Sequence, residues 1–307
     1  MATDLSARNE RYYETIQHVP GPMSELMSSY AGIPEDEQIA HITKLRNAGY
    51  AQFPYSCMGT FRFLDLDFSR HEAYKEHVVA PLSQPTAPGE PEPLFLDCGC
   101  CLGQDLRKLV ADGALPHRIW ASDIEPRFIE LGFELFRDGD KLPRDHFLCP
   151  GNLLATTKDP SEDQLTRLDD RVTILHITAV FHLFDLDNHR RVADRCLRLL
   201  RKDTGAPVLI LGAQVGSHEP KHVHSQSQPR RTRYFHNVES WEALWREVCG
   251  QPQWRDKIAT VEVKSKLLGR VRNEDSNGDT INNLREPEAD DVTFRLWHMF
   301  QVWVTFK

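Results

Sequence analysis

The sequence lacks any excess of positive charge. Its 37 Lys and Arg stand against 45 Asp and Glu, for a net charge of −8. A general nucleic-acid binder would carry a basic footprint instead. No window approaches the roughly 18 unbroken apolar residues of a membrane-spanning helix. The opening stretch MATDLSARNERYY has no apolar h-region, so no secretory signal and a cytoplasmic location are expected. Seven cysteines in such a chain of 307 residues read as reduced thiols. Cys98, Cys100 and Cys101 follow C-x-C-C, and no second pair stands at zinc-finger spacing, so no metal is expected there. There is no internal repeat. The one biased tract, QPTAPGEPEP at 84–93, suits neither helix nor central strand and reads as a linker or long turn.

What is present, from residue 94 onward, is alternation. LFLDC (94–98), RIWASD (118–123), HFLCPGN (146–152), RVTILHITAVF (171–181) and APVLILGAQVG (206–216) read as strands. GQDLRKLVADG (103–113), PRFIELGFELFRDG (126–139) and NHRRVADRCLRLLRKDTG (188–205) read as the helices between them. Such alternation implies βαβ units and a parallel sheet. Residues 258–268 and 294–306 add two strands with no clear helix between them. Upstream, EDEQIAHITKLRNAGY (35–50) has helical apolar spacing.

The stretch LFLDCGCCLGQDL (94–106) falls at the first strand-to-helix turn. Glycine there permits a sharp turn and close backbone approach, and free N–H groups at a helix start favour a negative group. The dinucleotide fingerprint G-x-G-x-x-G fails, because Cys101 and Gln104 occupy the required positions after Gly99. The stretch matches acid-x-Gly-x-Gly-x-Gly, with Cys101 in place of the middle glycine. That pattern resembles the first motif of class I S-adenosylmethionine (SAM) methyltransferases. Asp123 ends the second strand, 20 residues after Gly103, where an acid can accept both ribose hydroxyls of an adenosine cofactor. Asn152 ends the third strand, where the pattern usually has an acid; an amide can still bond an adenine edge. HITAVFHLFD (176–185) resembles the segment that floors the methyl-transfer site.

LDCGCCLGQDLRKLVADGA, SDIEPRFIELGFELFRD, AVFHLFD and FRFLDLDFS (61–69) together resemble a fungal family of SAM-dependent methyltransferases of meroterpenoid and polyketide biosynthesis. The resemblance runs from about residue 20 to the C-terminus. It implies a Rossmann-like α/β fold with a seven-stranded, mostly parallel sheet and helices on both faces. Residues 91–307 would form the SAM-binding domain and residues 1–90 an N-terminal helical lid, with 217–236 as a substrate-side loop. Cofactor contacts are expected from Asp97, Gly99, Cys101 and Gly103 in the turn, from Asp123 and Ile124 after the second strand, and from Asn152, Leu153 and Thr178. The family implies O-methylation of a prenylated polyketide acid to its methyl ester, in a homodimer. Where the family often has Gly-Arg-Gln-Val-Gly, this chain reads Gly212-Ala213-Gln214-Val215-Gly216.

A carboxylate acceptor is already ionised at neutral pH and needs no base. A phenol or enol would want a histidine, and His182 and His176 at the end of the fourth strand are the candidates; either could equally be a packed core residue. Substrate contacts are expected from Tyr12, Tyr13, Gln214 and Arg231. Other aromatics of the first 90 residues, Tyr30, Phe53, Tyr55, Phe61 and Phe63, are wall or core. His218, His222 and His224 read as a solvated loop before a zinc site, and Arg230, Arg231 and Arg233 could steer an anion. Trp241 and Trp245 read as packing. Two alternatives stay open: methylation of a hydroxyl with His182 as base, and a non-catalytic SAM-fold binding protein whose site is degraded at Cys101 and Asn152.

Overall fold

A computed structural model describes residues 12–157, 159–224, 232–271, 283–285 and 296–307. Among the described residues four α-helices precede the first strand: α1 (Gly21–Ser29), α2 (Glu35–Gln52), α3 (Ser56–Gly59) and α4 (Ala80–Ser83). Then β1 (Phe95–Cys98), α5 (Gln104–Ala111), β2 (Ile119–Ser122), α6 (Pro126–Phe136), β3 (Phe147–Leu148), β4 (Ile174–His176), α7 (Leu186–Leu199) and β5 (Val208–Val215) alternate as the sequence suggests. A hairpin of β6 (Lys221–His224) and β7 (Thr232–Phe235) follows, then α8 (Val238–Cys249), β8 (Ile258–Val271), β9 (Asn283–Arg285) and β10 (Leu296–Phe306).

The main sheet runs β3-β2-β1-β4-β5-β10-β8-β9. The first five strands are parallel, and β10 lies antiparallel between β5 and β8. This is the expected seven-stranded class I methyltransferase sheet, with the three-residue β9 added at its edge. The strand order reverses between β1 and β4, and the crevice beyond the strand C-termini at such a point is where open α/β sheets bind ligands.

Side-chain alternation explains how both faces are covered. Leu96, Cys98, Leu175, Ile210, Phe300 and Val302 pack with α7 and α8 residues such as Val192, Trp241 and Trp245. Phe95, Ala121, Ile174, Leu209 and Leu211 pack on the other face with Leu106 and Leu109 of α5 and Ile129 and Phe133 of α6. Phe68, Tyr74, Val78 and Leu82, all upstream of β1, complete that second layer. Met23, Leu26, Met27, Ile42 and Leu45 of α1 and α2 form a third cluster with Leu102 and with Phe128, Leu131 and Phe136 of α6. The first helices are thus seated on α6 and the β1 turn. Among the described residues no helix is long and apolar enough to cross a membrane.

Three expectations are corrected, the first being the third strand, expected over 146–152 and reduced to Phe147–Leu148. The strand expected over 171–181 shrinks to Ile174–His176. Beyond it the chain follows β5 by single bonds, from Ile177 N–H to the Leu211 carbonyl at 3.0 Å and from Ala179 N–H to the Ala213 carbonyl at 2.7 Å. Ala179, at φ 59°, then turns it across the sheet edge. The segment 217–236, expected as a loop, contains the β6–β7 hairpin, with His222 opposite Tyr234 and His224 opposite Thr232.

Candidate active site

The β1 turn is built by its backbone. Gly99, Cys101 and Gly103 all have positive φ, at 76°, 52° and 65°. A Cβ on Gly99 would lie 2.6 Å from a Val180 methyl, so no larger residue fits while the β1 and β4 turns touch. Cys101 adopts the left-handed conformation without glycine's freedom. What holds it is Asp123, whose Oδ2 accepts the Cys101 N–H at 2.9 Å. Asp123 Oδ1 accepts the Glu125 N–H at 3.0 Å. Burial raises the Asp123 carboxyl above the usual range, against the backbone N–H groups that stabilise its charge. From behind, the fully buried Arg107 donates to the Leu102 and Gly103 carbonyls, and a two-pronged bond to Asp138 fixes it. The Tyr30 hydroxyl donates to the same Asp138 carboxylate at 2.8 Å, tying α1 to the turn.

Beside Asp123 the Ile124 side chain is 59% exposed, an apolar group left open at the C-terminal edge of β2. The β3 end closes against it. Gly151 donates its N–H to the Asp123 carbonyl at 2.8 Å. A Cβ on Gly151 would meet Ser122 Cβ at 2.6 Å, which explains the glycine. Asn152 accepts the Leu154 N–H with its Oδ1 at 3.0 Å, so its amide N–H₂ remains to donate outward. The Leu153 side chain, 8% exposed, belongs to the α7–α8 core.

Asp97 does not stand alone. His176 Nδ1 lies 2.8 Å from its Oδ1, and His176 Nε2 lies 2.8 Å from Thr178 Oγ1. The Thr178 oxygen also accepts the Ala213 N–H at 3.1 Å. Phe68 stacks on the imidazole at 4.0 Å. Burial pushes His176 down, but the Asp97 charge and hydrogen bond, with Asp105, outweigh it and leave the pKa raised. Both ring nitrogens are committed and the residue is 1% exposed, which leaves neither nitrogen open toward the sheet edge. It positions Asp97 and Thr178. Asp105 in the first turn of α5 is pushed up to about 7 by burial, with Asp97 adding to the rise and His176 opposing it.

His182 is half-buried after β4 and accepts the Val215 N–H at Nδ1, at a long 3.5 Å. In the neutral ring the proton then sits on Nε2, a donor with no hydrogen-bond partner among the described residues. Burial first, then the charges of Arg233 and Arg62, push this imidazole down to about 3. His182 is neutral at working pH, with its open nitrogen carrying the hydrogen.

A family profile for the meroterpenoid methyltransferase N-terminal domain matches residues 11–64. The chain is 30% identical over 257 residues to methyltransferase trt5 of Aspergillus terreus, covering 84% of this chain and 86% of that protein. It is 31% identical over 261 residues to the O-methyltransferase phiE of a fungal species, covering 84% and 80%. It is 32% identical over 233 residues to the asnovolin E/chermesin D methyltransferase nvfJ of Aspergillus novofumigatus, covering 76% and 78%. The chain belongs to the fungal meroterpenoid methyltransferase family. It is a methyltransferase by family, and its strand order is the one expected above for a SAM-binding fold.

The remaining sequence-derived residues of this methyltransferase are placed as follows. Tyr12 lies against Tyr50 at 4.9 Å, with the Arg46 guanidinium 4.5 Å from its ring centre, and Tyr13 donates its N–H to the Gly59 carbonyl at 2.9 Å. Gln214 is 2% exposed on the α8 face of β5, directly across from His298, and neither of its amide atoms has a partner. Arg231, with Arg230, lies outside the described residues. His218, His222 and His224 are exposed, and among the described residues no group of three His, Cys, Asp or Glu side chains could hold a metal ion. Cys98 and Cys100 are buried and burial raises both thiols. They fill space at the turn. Sequence reading missed three features: the Asp97–His176 pairing, the unpartnered His298, and Arg62. Only the resemblance of FRFLDLDFS pointed toward Arg62.

Proposed function

We propose that the chain is a carboxyl O-methyltransferase, converting a prenylated polyketide acid to its methyl ester. The observation that carries this reading is the state of His182. A hydroxyl acceptor needs a group to remove its proton. His182 lies just beyond β4 with its Nδ1 taken by the Val215 N–H, so in the neutral ring the other nitrogen bears hydrogen. A group poised near pH 7 makes a good general base, and His182 lies far below that, at about 3. A carboxylate arrives ionised and needs only to be held. The neutral Nε2–H can donate to it, and the guanidinium charges of Arg62 and Arg233 near His182 favour an anion there. The name of phiE, an O-methyltransferase, points to the same acceptor element.

The residues present fit the cofactor. The exposed Ile124 side chain offers an apolar wall, Asn152 an amide donor, and each Asp123 oxygen keeps a lone pair beyond its backbone bond. We assign adenosine recognition to these three and the methionine end to the Gly99–Gly103 turn and Asp97. When bound, the cofactor supplies a methyl group on a sulfonium, already activated for in-line displacement. The chain's own task is to hold the acceptor in line and exclude water. Thr178 and Asp97 are held by His176, so the floor of the site is rigid.

The test is product chemistry. The purified protein is incubated with isotopically labelled SAM and a farnesylated dihydroxybenzoic acid. Label released as methanol by mild alkali marks an ester and supports the reading. Alkali-stable label marks an ether and favours the hydroxyl alternative.

A further inference from the structure

Most enclosed arginines of this chain are paired with carboxylates; among the described residues Arg62 is not. Arg107 pairs with Asp138, Arg118 with Glu92, and Arg195 with Asp163 and Asp169. Arg46 also lacks a carboxylate, but it is fully enclosed, set against the Tyr12 and Phe61 rings and bonded to the Glu14 carbonyl. Arg62 is half-buried, its Nε is buried with no hydrogen-bond partner, and among the described residues no ion pair takes up its charge.

The local backbone presents this side chain at a cost. Phe61 and Leu66 are both left-handed, at φ 57° and 49°, and neither is glycine. Such strain persists where packing over-determines it and clusters at working sites. Here Phe61 and Phe63 are sunk in the N-terminal core, which leaves Arg62 between them to turn elsewhere. Its guanidinium lies 4.9 Å from the Trp297 ring centre. Trp297 is paired in register with Val215, and Val215 is the residue whose N–H meets His182. Arg62 and His182 therefore converge on one Val215–Trp297 pair. The reach of the charge agrees. Burial raises the Cys57 thiol, and Arg62 is the first charge to oppose it. Cys57 in turn acts on Cys101 of the cofactor turn.

We propose that Arg62 is the anchor for the substrate's carboxylate, holding it by the guanidinium edge above Trp297 and beside the His182 Nε2–H. A guanidinium held over an indole ring by cation–π attraction can still offer its N–H fork, and that fork matches a carboxylate. A carboxylate oxygen has two lone pairs, so a bond to Arg62 leaves one for methyl transfer. The anchor pairs with an anion and meets only a neutral carbonyl acceptor in the ester, so it favours substrate over product and assists product release. This inference rests on the carboxylate reading above.

The test is discrimination between acid and ester. Calorimetry on the full chain loaded with S-adenosylhomocysteine compares a farnesylated dihydroxybenzoic acid with its methyl ester. Wild type should bind the acid at least about tenfold more tightly, as a charge-assisted pair predicts. Arg62→Gln should lose that preference and raise KM with kcat nearly unchanged, the mark of lost ground-state binding. Arg62→Lys should restore part of it, and an unchanged melting temperature and S-adenosylhomocysteine affinity show that the variants are folded. A folded Arg62→Gln that still prefers the acid tenfold or more overturns the anchor and leaves ester formation standing. Alkali-stable product from the wild type overturns both.

Discussion

Asp97 and His176 face each other in register on neighbouring parallel strands, and Nδ1 of His176 lies 2.8 Å from the aspartate Oδ1 with both side chains almost wholly buried. Asp97 raises the histidine's pKa against its burial, so this is a charge-stabilised pair. Removing one partner of a buried pair leaves the other uncompensated, at about 3–5 kcal/mol. Asp97→Ala should therefore lower unfolding stability by several kcal/mol in urea melts. A loss below about 1 kcal/mol, the scale of an exposed pair, would show that the contact contributes no structure.

Asp123 has two duties in this structure, since it holds the Cys101 and Glu125 N–H groups and faces the open side of Ile124. Asp123→Ala should abolish measurable SAM binding by calorimetry. Asp123→Asn keeps an acceptor oxygen for one N–H and should retain weakened binding. Wild-type affinity in Asp123→Ala would remove this residue from the cofactor site.

His182 separates the two acceptor chemistries. General bases contribute about 10²–10⁴-fold. With a carboxylic acid acceptor, His182→Ala should keep turnover within about tenfold of wild type, because no proton has to be removed. A loss of two orders of magnitude on a hydroxyl acceptor would restore the base. A similar loss on a proven acid would mean that the imidazole shapes the site.

The sheet order and the cofactor turn were legible because they rest on signals a sequence carries: apolar runs, helical periodicity, and glycines at a turn. The extent of β4 was not. Ile177, Thr178 and Val180 have strand-like side chains, but Ala179 is left-handed, and nothing about an alanine announces that. The hairpin at 221–235 was hidden by polar composition, since both its strands are partly or fully exposed and bury no apolar face. Asp97 and His176 were each noticed, one as a cofactor acid and the other as a base. Their pairing depends on inter-strand register, which no single segment encodes. Arg62 was not singled out for a different reason: its distinction is that no carboxylate among the described residues pairs with it, a property of the fold.

Acid should destabilise the protein below about pH 6.5, the ordinary histidine value. Burial lowers His71, His189 and His298 to about 4 and His236 to about 2. His189 and His236 are joined at 3.0 Å, with His236 taking Ser240 on its other side and His189 the Phe181 carbonyl, a chain in which at least one ring must be neutral. The unfolded state binds protons first as pH falls, so the stability these groups contribute is full above 6.5 and lost toward 4. Asp105, raised to about 7, works in the opposite sense, as do His176 and Asp123, both raised, but five depressed histidines, His182 included, stand against these three groups. Melting temperature should drop steadily from pH 7 to pH 4.5. A flat profile across that window would mean that the histidine cluster is charged or open to water.

Gln214 and His298 stand directly opposite each other on β5 and β10, 2% and 0% exposed, and none of their four side-chain polar atoms has a partner. The Trp241 ring lies 5.7 Å from the His298 ring, so the pair faces an otherwise aromatic layer under α8. A buried unsatisfied group costs about 1–3 kcal/mol, and an apolar replacement of the same shape removes that cost. Gln214→Met should therefore raise stability by about 1 kcal/mol or more in urea melts. If the amide is kept for substrate, the same variant should show a raised KM despite its firmer fold, a trade of stability for binding that natural sites often make. A variant that loses stability instead would mean that ordered water already satisfies the amide. That outcome would assign Gln214 to the core and leave substrate recognition on the opposite face of β5, where Val215 and Trp297 lie.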